Sequence, residues 1–250
     1  MSGSSIIQSL AKGMDVLALL AEAEGGLRVK DVAELAGLKP PVAHNVLRTL
    51  KSRGFVCRDA SAPVYRLGAR LEELVARRNR HALYRRVEVA MRSLADNFPD
   101  ATLTFSQPIN GDVVVRRRLS ADGYGVIQQP SGFSLALYSS ASGLASLAFC
   151  SEEDCLALQQ RHPLLEEGAR LWSPPETLDA YLEQVRRQGC SLHPYADARR
   201  LAVACPVRDA EGAVSGVLGL ARTAPAGAAL GETARAAAVE QLKKSTAVPQ

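Results

Sequence analysis

The stretch AGLKPPVAHNVLRTLKSRGFVCRD, residues 36–59, restricts the fold more than any other part of this 250-residue chain. Pro40 and Pro41 lack the N–H that an interior helical position must donate, so a helix that contains them has to begin there. From that start Val42, Val46, Leu47 and Leu50 recur at helical spacing, and Gly54 ends the run. Pro41, His44, Asn45 and Arg48 fall on the opposite face. A short helix in VKDVAELAG precedes it, with Val32, Leu35 and Ala36 expected inward and Gly37 as the left-handed residue past its end. Two short helices joined by a tight GLK turn make a helix-turn-helix, whose second helix is placed for a DNA major groove.

The flanks agree with that reading. Ile6, Leu10, Met14, Leu17 and Leu20 trace an apolar line along a first helix that ends at EGG, residues 24–26. After the quoted stretch, GFVCRD and PVYRL alternate apolar and polar residues around the turn at residues 59–62. That hairpin is a wing: Phe55, Val56, Tyr65 and Leu67 are expected to cover the helices, while Arg58 and Arg66 flank the tip. Charge is divided unevenly. Residues 1–80 hold 13 basic against 8 acidic side chains, a net +5, and the remainder holds 17 against 18, a net −1. A basic N-terminal third suits double-stranded DNA as partner. The expected contacts are Lys39, Pro41, His44, Asn45, Arg48, Lys51, Arg58 and Arg66. Arg48 and Lys51 suit phosphates or base edges, and Asn45 can pair bidentately with adenine.

From Gly68 the pattern is again helical and carries six arginines between Arg77 and Arg92, of which Arg77, Arg78 and Arg80 stand nearest the DNA-binding part. Two strands follow, ATLTFSQPI and GDVVVRRRLS, turned by Asn110-Gly111. A small-residue helix is expected from about Ser140, packing through Gly143, Ala145 and Ala148. PPETLDAYLEQVRRQGC is an amphipathic helix with Leu178, Leu182 and Val185 inward. RLAVACPVRDAEGAVSGVLGLA supplies a second hairpin, and a last helix spans about 226–243. Strand pairs flanked by helices make an α+β arrangement.

Several chemistries lack their residues. No GxSxG elbow surrounds the serines of SSASG, so a nucleophile is not read there. His44, His81, His162 and His193 are scattered, and the five cysteines form no CxxC pair, so neither a metal site nor a disulfide framework is expected. No glycine-rich phosphate loop is present. The chain is read as a protein without cofactor that is not an enzyme. With no long uncharged apolar run and no secretion signal, it is expected in the cytoplasm, away from membranes.

The sequence from SLAKGMDV to YRLGARLEEL, above all VLRTLKSRGFV and YRLG, resembles the DNA-binding domain of the IclR-type bacterial transcriptional regulators. GFSLALYSSASGLASLAF, VRRQGC and VACPVRDAEGAVSGVLGLA resemble the family's C-terminal domain. The resemblance implies a winged helix-turn-helix over residues 1–69. A linker with dimerisation helices follows over 70–95, then a GAF-like, antiparallel-sheet effector-binding and oligomerisation domain over 96–250. It further implies a homodimer or homotetramer on operator DNA, modulated by a small metabolite bound between the sheet and its overlying loops. Around that place the sequence offers Ser131, Gly132, Phe133, Ser139, Ser140, Ser142, His193, Tyr195, Arg199 and Cys205, which suit an organic acid. The alternative is a constitutive dimeric DNA-binding protein without an effector. The chain departs from the family in carrying Pro41 and Val42 in place of a small hydroxylic pair. It also has Asn45 in place of an arginine, and Arg199 and Ala202 at about the positions of a glycine and a cysteine.

Overall fold

The computed structural model describes residues 6–123, 125–193, 199–209 and 211–247. They divide into two compact units, Met1–Ala82 and Leu83–Gln250.

The first unit holds α1 (Gln8–Glu22), α2 (Val29–Leu35), α3 (Pro40–Ser52) and a two-stranded hairpin of β1 (Val56–Arg58) and β2 (Tyr65–Leu67). Pro40 and Pro41 occupy the first turn of α3, as their chemistry requires. Gly37 takes a φ of 63° after α2, and its turn lets Leu38 N–H reach the Ala33 carbonyl at 2.8 Å. Val16, Leu20, Val32, Ala33, Ala43, Leu47, Val56 and Tyr65 close one small core. Leu27 pairs with Tyr65 through two backbone hydrogen bonds, 3.0 and 2.7 Å, so the hairpin is tied to the helices by the chain itself.

One inward assignment fails here. Leu35, at 60 % exposure, points to solvent, and Val32 with Ala33 forms the buried face of α2. On α1 the line Ile6–Leu10–Met14 is exposed, while Gly13, Val16 and Leu20 are buried. The apolar face of α1 is wider than the neighbouring helices can cover. Its uncovered part, Leu10 and Met14, together with the half-buried Leu17, borders an apolar groove of about 800 Å³ with Val42, Val46 and Leu50 of α3.

A long helix, α4 (Ala69–Asn97), begins in the first unit and ends in the second. The second unit then adds β3 (Thr102–Ile109), β4 (Asp112–Leu119), β5 (Ser134–Leu135), α5 (Ala141–Phe149) and α6 (Glu152–Arg161). A π-helical turn (Leu164–Gly168) precedes α7 (Glu176–Gln188), β6 (Ser191–Leu192), β7 (Arg200–Arg208), β8 (Val214–Thr223) and α8 (Glu232–Thr246). The sheet is antiparallel, in the order β5-β4-β3-β8-β7-β6, so the two expected hairpins join edge to edge through β3 and β8. Asn110 and Gly111 turn the first hairpin with φ of 51° and 80°, the positive values such a two-residue loop needs.

Alternation sorts each strand between two cores. Leu103, Phe105, Leu201, Val203, Leu218 and Leu220 face Val87, Met91 and Leu94 of α4 and Ala238 and Leu242 of α8. Ala204 and Val217 on the other face meet Ala141 and Ala145 of α5. Leu178, Leu182 and Val185 of α7 are buried beside α5, as their spacing predicts. The last helix runs from 232 rather than 226, and α6 with its π-helical turn has no counterpart in the sequence reading. α6 is a short segment rich in charge, with Leu158 as its fully buried residue, so its periodic signal is weak.

Candidate nucleic-acid interface and small-molecule cavity

On α3, burial of Ala43 and Leu47 turns Pro41, His44, Asn45, Arg48 and Lys51 outward together, with Lys39 just before the helix. None of the side chains of Lys39, His44, Arg48 or Lys51 forms an ion pair among the described residues. All four side chains are exposed. A concave surface lined by Lys51, Arg58 and the turn from Asp59 to Pro63 brings the end of α3 and the wing together.

Arg66 behaves differently. Its Nε donates to Asp59 Oδ2 at 3.2 Å and its Nη1 donates to the Glu24 carbonyl at 2.9 Å. Asp59 also accepts from the Ser61 hydroxyl at 2.6 Å and the Ser61 N–H at 2.8 Å. The Ser61 hydroxyl, then the Ser61 N–H and then Arg66 hold the Asp59 carboxyl down at about 2. Arg66 thus braces the wing while its side chain stays 45 % exposed; Arg58 is also exposed and makes no ion pair among the described residues.

The second unit contains a cavity of about 210 Å³ between the sheet and the start of α5. Its floor is Thr102 and Thr104 of β3, Arg118 of β4, Gly219 and Ala221 of β8, and Ala202 of β7. Small residues on three adjacent strands leave the space open. Phe133 and Leu135 lie at one side and Ser140, Ala141 and Ser142 at the other. Ser140 is the N-cap of α5: its hydroxyl accepts from Gly143 N–H at 2.9 Å and donates to the Ala136 carbonyl at 2.6 Å. That leaves the amides of Ala141 and Ser142 at the positive end of the helix.

Of the residues expected at this place, Phe133, Ser140 and Ser142 line the cavity. Ser131, Gly132 and Ser139 are exposed and lie outside its lining. Cys205 faces the opposite side of the sheet, 1 % exposed, in the core with Cys190. The register of β6 on β7 sets those two thiols across from each other. Strand alternation decides this: Cys205 shares its face with Leu201 and Val203, while the cavity takes Ala202. Arg199 stands outside the lining at the start of β7, where its backbone pairs with Ala224 and its guanidinium donates to the Ala224 carbonyl at 3.3 Å. His193 extends the β6–β7 pairing through its N–H to the Ala202 carbonyl, also outside the lining. Tyr195 lies outside the described residues.

Arg118, Thr102 and Thr104 also line the cavity, and the sequence pattern does not single them out. The alternation of β4 would have put Arg116 and Arg118 on one face. A register shift opposite Phe105/Ser106 turns Arg116 with Arg117 toward α4 and leaves Arg118 on the cavity side, paired with Thr104. Among the described residues no cluster of histidine, cysteine and carboxylate side chains suits a metal ion, and no helix is long and apolar enough to cross a membrane.

A basic winged helix-turn-helix in one unit and a helix-flanked sheet with a small cavity in the other define a two-domain transcriptional regulator. The IclR helix-turn-helix domain matches residues 9–60, and the C-terminal domain of the bacterial transcriptional regulator IclR matches residues 77–247. The chain belongs to the IclR family of bacterial transcriptional regulators and is not an enzyme. It is 25 % identical over 191 residues to the transcriptional repressor IclR of Escherichia coli K12, covering 74 % of this chain and 69 % of that protein. Over 68 residues, 27 % of each chain, it is 44 % identical to the glycerol operon regulatory protein of Streptomyces coelicolor. In fold it is similar to an IclR-type regulator from Silicibacter sp. TM1040, with a TM-score of 0.53, 19 % identity, and coverage of 95 % of this chain and 93 % of that one.

Proposed function

We propose that this regulator reads a two-part operator as a homodimer or homotetramer. A small organic anion, bound in the cavity of its GAF-like C-terminal domain, changes its affinity for that operator. Lys39, Pro41, His44, Asn45, Arg48 and Lys51 of α3 and its approach, with Arg58 of the wing, touch the DNA. Phe133, Ser140 and Ser142 belong to the effector site. Ligand and DNA influence each other only if the ligand binds one arrangement of the protein better than the other, and the coupling is then reciprocal.

The observation that carries this reading is the cavity itself. It lies at the amide end of α5, is bounded by hydroxyls and small side chains, and falls below the roughly 300–1,000 Å³ usual for drug-sized ligands. A metabolite fits that size better than a dinucleotide or haem. The test uses full-length protein and operator DNA selected in vitro. Organic acids are titrated into the complex while fluorescence anisotropy follows the labelled DNA. An acid that shifts the DNA affinity by some factor must see its own affinity shifted equally by operator. DNA binding that no small molecule alters would favour the constitutive alternative.

A further inference from the structure

Three consecutive arginines leave β4, and two of them are engaged on the α4 side. Arg116 Nε donates to the Tyr84 hydroxyl at 3.2 Å; Arg117 donates to Glu88 at 2.6 Å and stacks 4.1 Å from the centre of the Tyr84 ring. Arg118 emerges on the other face, half-buried, in the cavity floor. No carboxylate of the described residues lies within ion-pairing distance of its guanidinium. The ring of Phe133 lies 5.9 Å from it, guanidinium carbon to ring centre. Asp122 feels the charge of Arg118 only as the weakest influence on its carboxyl, which its hydrogen bonds, first from the Ser120 hydroxyl, hold below the ordinary range.

A half-buried cation with no direct ion pair is an unfavourable arrangement in a finished core and a useful one in a binding site. Two hydroxyls beside it have the same character. A Cβ placed on Gly219 would stand 2.6 Å from Ser142 Oγ and 3.1 Å from Thr104 Oγ1, so both oxygens gather over that glycine. Neither hydroxyl makes a hydrogen bond among the described residues. The remaining walls are apolar or small.

We propose that Arg118 is the anion-recognising residue of this cavity and that the ligand is a compact monocarboxylate. Its carboxylate pairs with the guanidinium, and its short apolar body rests between Phe133, Leu135 and the floor of Ala202 and Ala221. One cation calls for one carboxylate; the second charge of a dicarboxylate would find no further cation in the lining, only hydroxyls, helix amides and apolar walls. A planar guanidinium binds a carboxylate through two parallel hydrogen bonds, which an ammonium group does not reproduce. The inference rests on the reading of the cavity as the effector site and adds the residue and the chemical class.

The test measures melting temperature and calorimetric binding of the full-length protein with benzoate and butyrate, each against its uncharged amide, benzamide and butyramide. Wild type, Arg118→Gln, Arg118→Lys and Gly219→Ala are compared, and the ligand-free melting temperature of each variant reports its folding. The carboxylates are expected to bind wild type better than the amides. Arg118→Gln should weaken them by about 10- to 100-fold, and Arg118→Lys should restore part of the loss. Gly219→Ala, which crowds the two hydroxyls, should weaken every ligand. Carboxylates that bind folded Arg118→Gln as tightly as wild type, yet lose affinity in Gly219→Ala, overturn the role of Arg118 and leave the cavity reading intact. Binding indifferent to Gly219→Ala moves the effector site elsewhere. Preference for the amides, or no binding of any of the four, overturns the monocarboxylate class.

Discussion

Arg117 Nε donates to Glu88 Oε1 at 2.6 Å, joining the middle of β4 to the second half of α4. The Arg117 side chain is 10 % exposed and also stacks on Tyr84, which meets Phe105 edge-on at 6.2 Å. Glu88→Ala would leave a buried guanidinium with only a ring and the Arg116 carbonyl as partners. The expected loss is about 2–3 kcal/mol of unfolding free energy, read from urea midpoints, with Glu88→Gln less affected because its amide oxygen still accepts.

Gly143 sits where α5 meets the segment before it. A Cβ there would stand 2.3 Å from the Leu137 carbonyl oxygen and 2.4 Å from that of Ala136. Those are backbone atoms and cannot rotate aside, so α5 must retreat and open the cavity edge. Gly143→Ala should lower stability by about 1–3 kcal/mol despite the better helix propensity of alanine. Thermal melting that shows no loss would mean that α5 has room the structure denies it.

Arg58 and Arg66 separate by role. Arg66→Ala frees the Asp59 turn and the Glu24 carbonyl, so it should loosen the wing, visible as faster amide hydrogen exchange at residues 59–66. Arg58→Ala should leave exchange unchanged and weaken DNA binding at all sequences. The Asp59 turn itself keeps its full contribution above the ordinary carboxylate pKa of about 3.9 and loses it as pH falls through about 2.

His162 is held between two carboxylates, with Nε2 at 2.9 Å from Asp112 and Nδ1 at 2.9 Å from Glu167. Burial alone would lower the imidazole pKa; the hydrogen bonds to Glu167 and Asp112 more than offset it and raise the value. Burial likewise opposes the carboxyl of Asp112, which His162 and Arg161 pull down. A raised histidine stabilises fully below its unfolded pKa of about 6.5 and loses that contribution as pH rises through the folded value. The difference in melting temperature between wild type and His162→Gln should therefore shrink from mildly acidic to basic pH. A constant difference would show that His162 is neutral throughout.

On the proposed DNA face, Asn45→Ala and Arg48→Ala should differ in kind. Loss of a phosphate contact at Arg48 weakens binding to every sequence and lowers the salt slope by about one. Loss of a base contact at Asn45 costs about 1–3 kcal/mol at one base pair of a matched operator. Affinities over a salt series, on matched and mismatched DNA, check both.

The helix-turn-helix was legible because its signals are local. Pro40-Pro41 can only start a helix, Gly37 supplies a left-handed turn, and the apolar spacing on α3 selects the buried face without reference to distant residues. The same holds for Asn110-Gly111 and for Ser140 as the cap of α5. Tertiary structure decided what depends on neighbours far along the chain. Whether Leu10 and Met14 are covered depends on the breadth of α3, and Arg66 is tied down on the surface by Asp59 and by Glu24, 42 residues away. The cavity is the clearest case. A register shift on β3–β4 and the parity of β7 choose between Arg116 and Arg118, and between Cys205 and Ala202. Side chains in a sheet alternate with period two, so displacement by one residue moves a group to the opposite face, and composition carries no record of that choice.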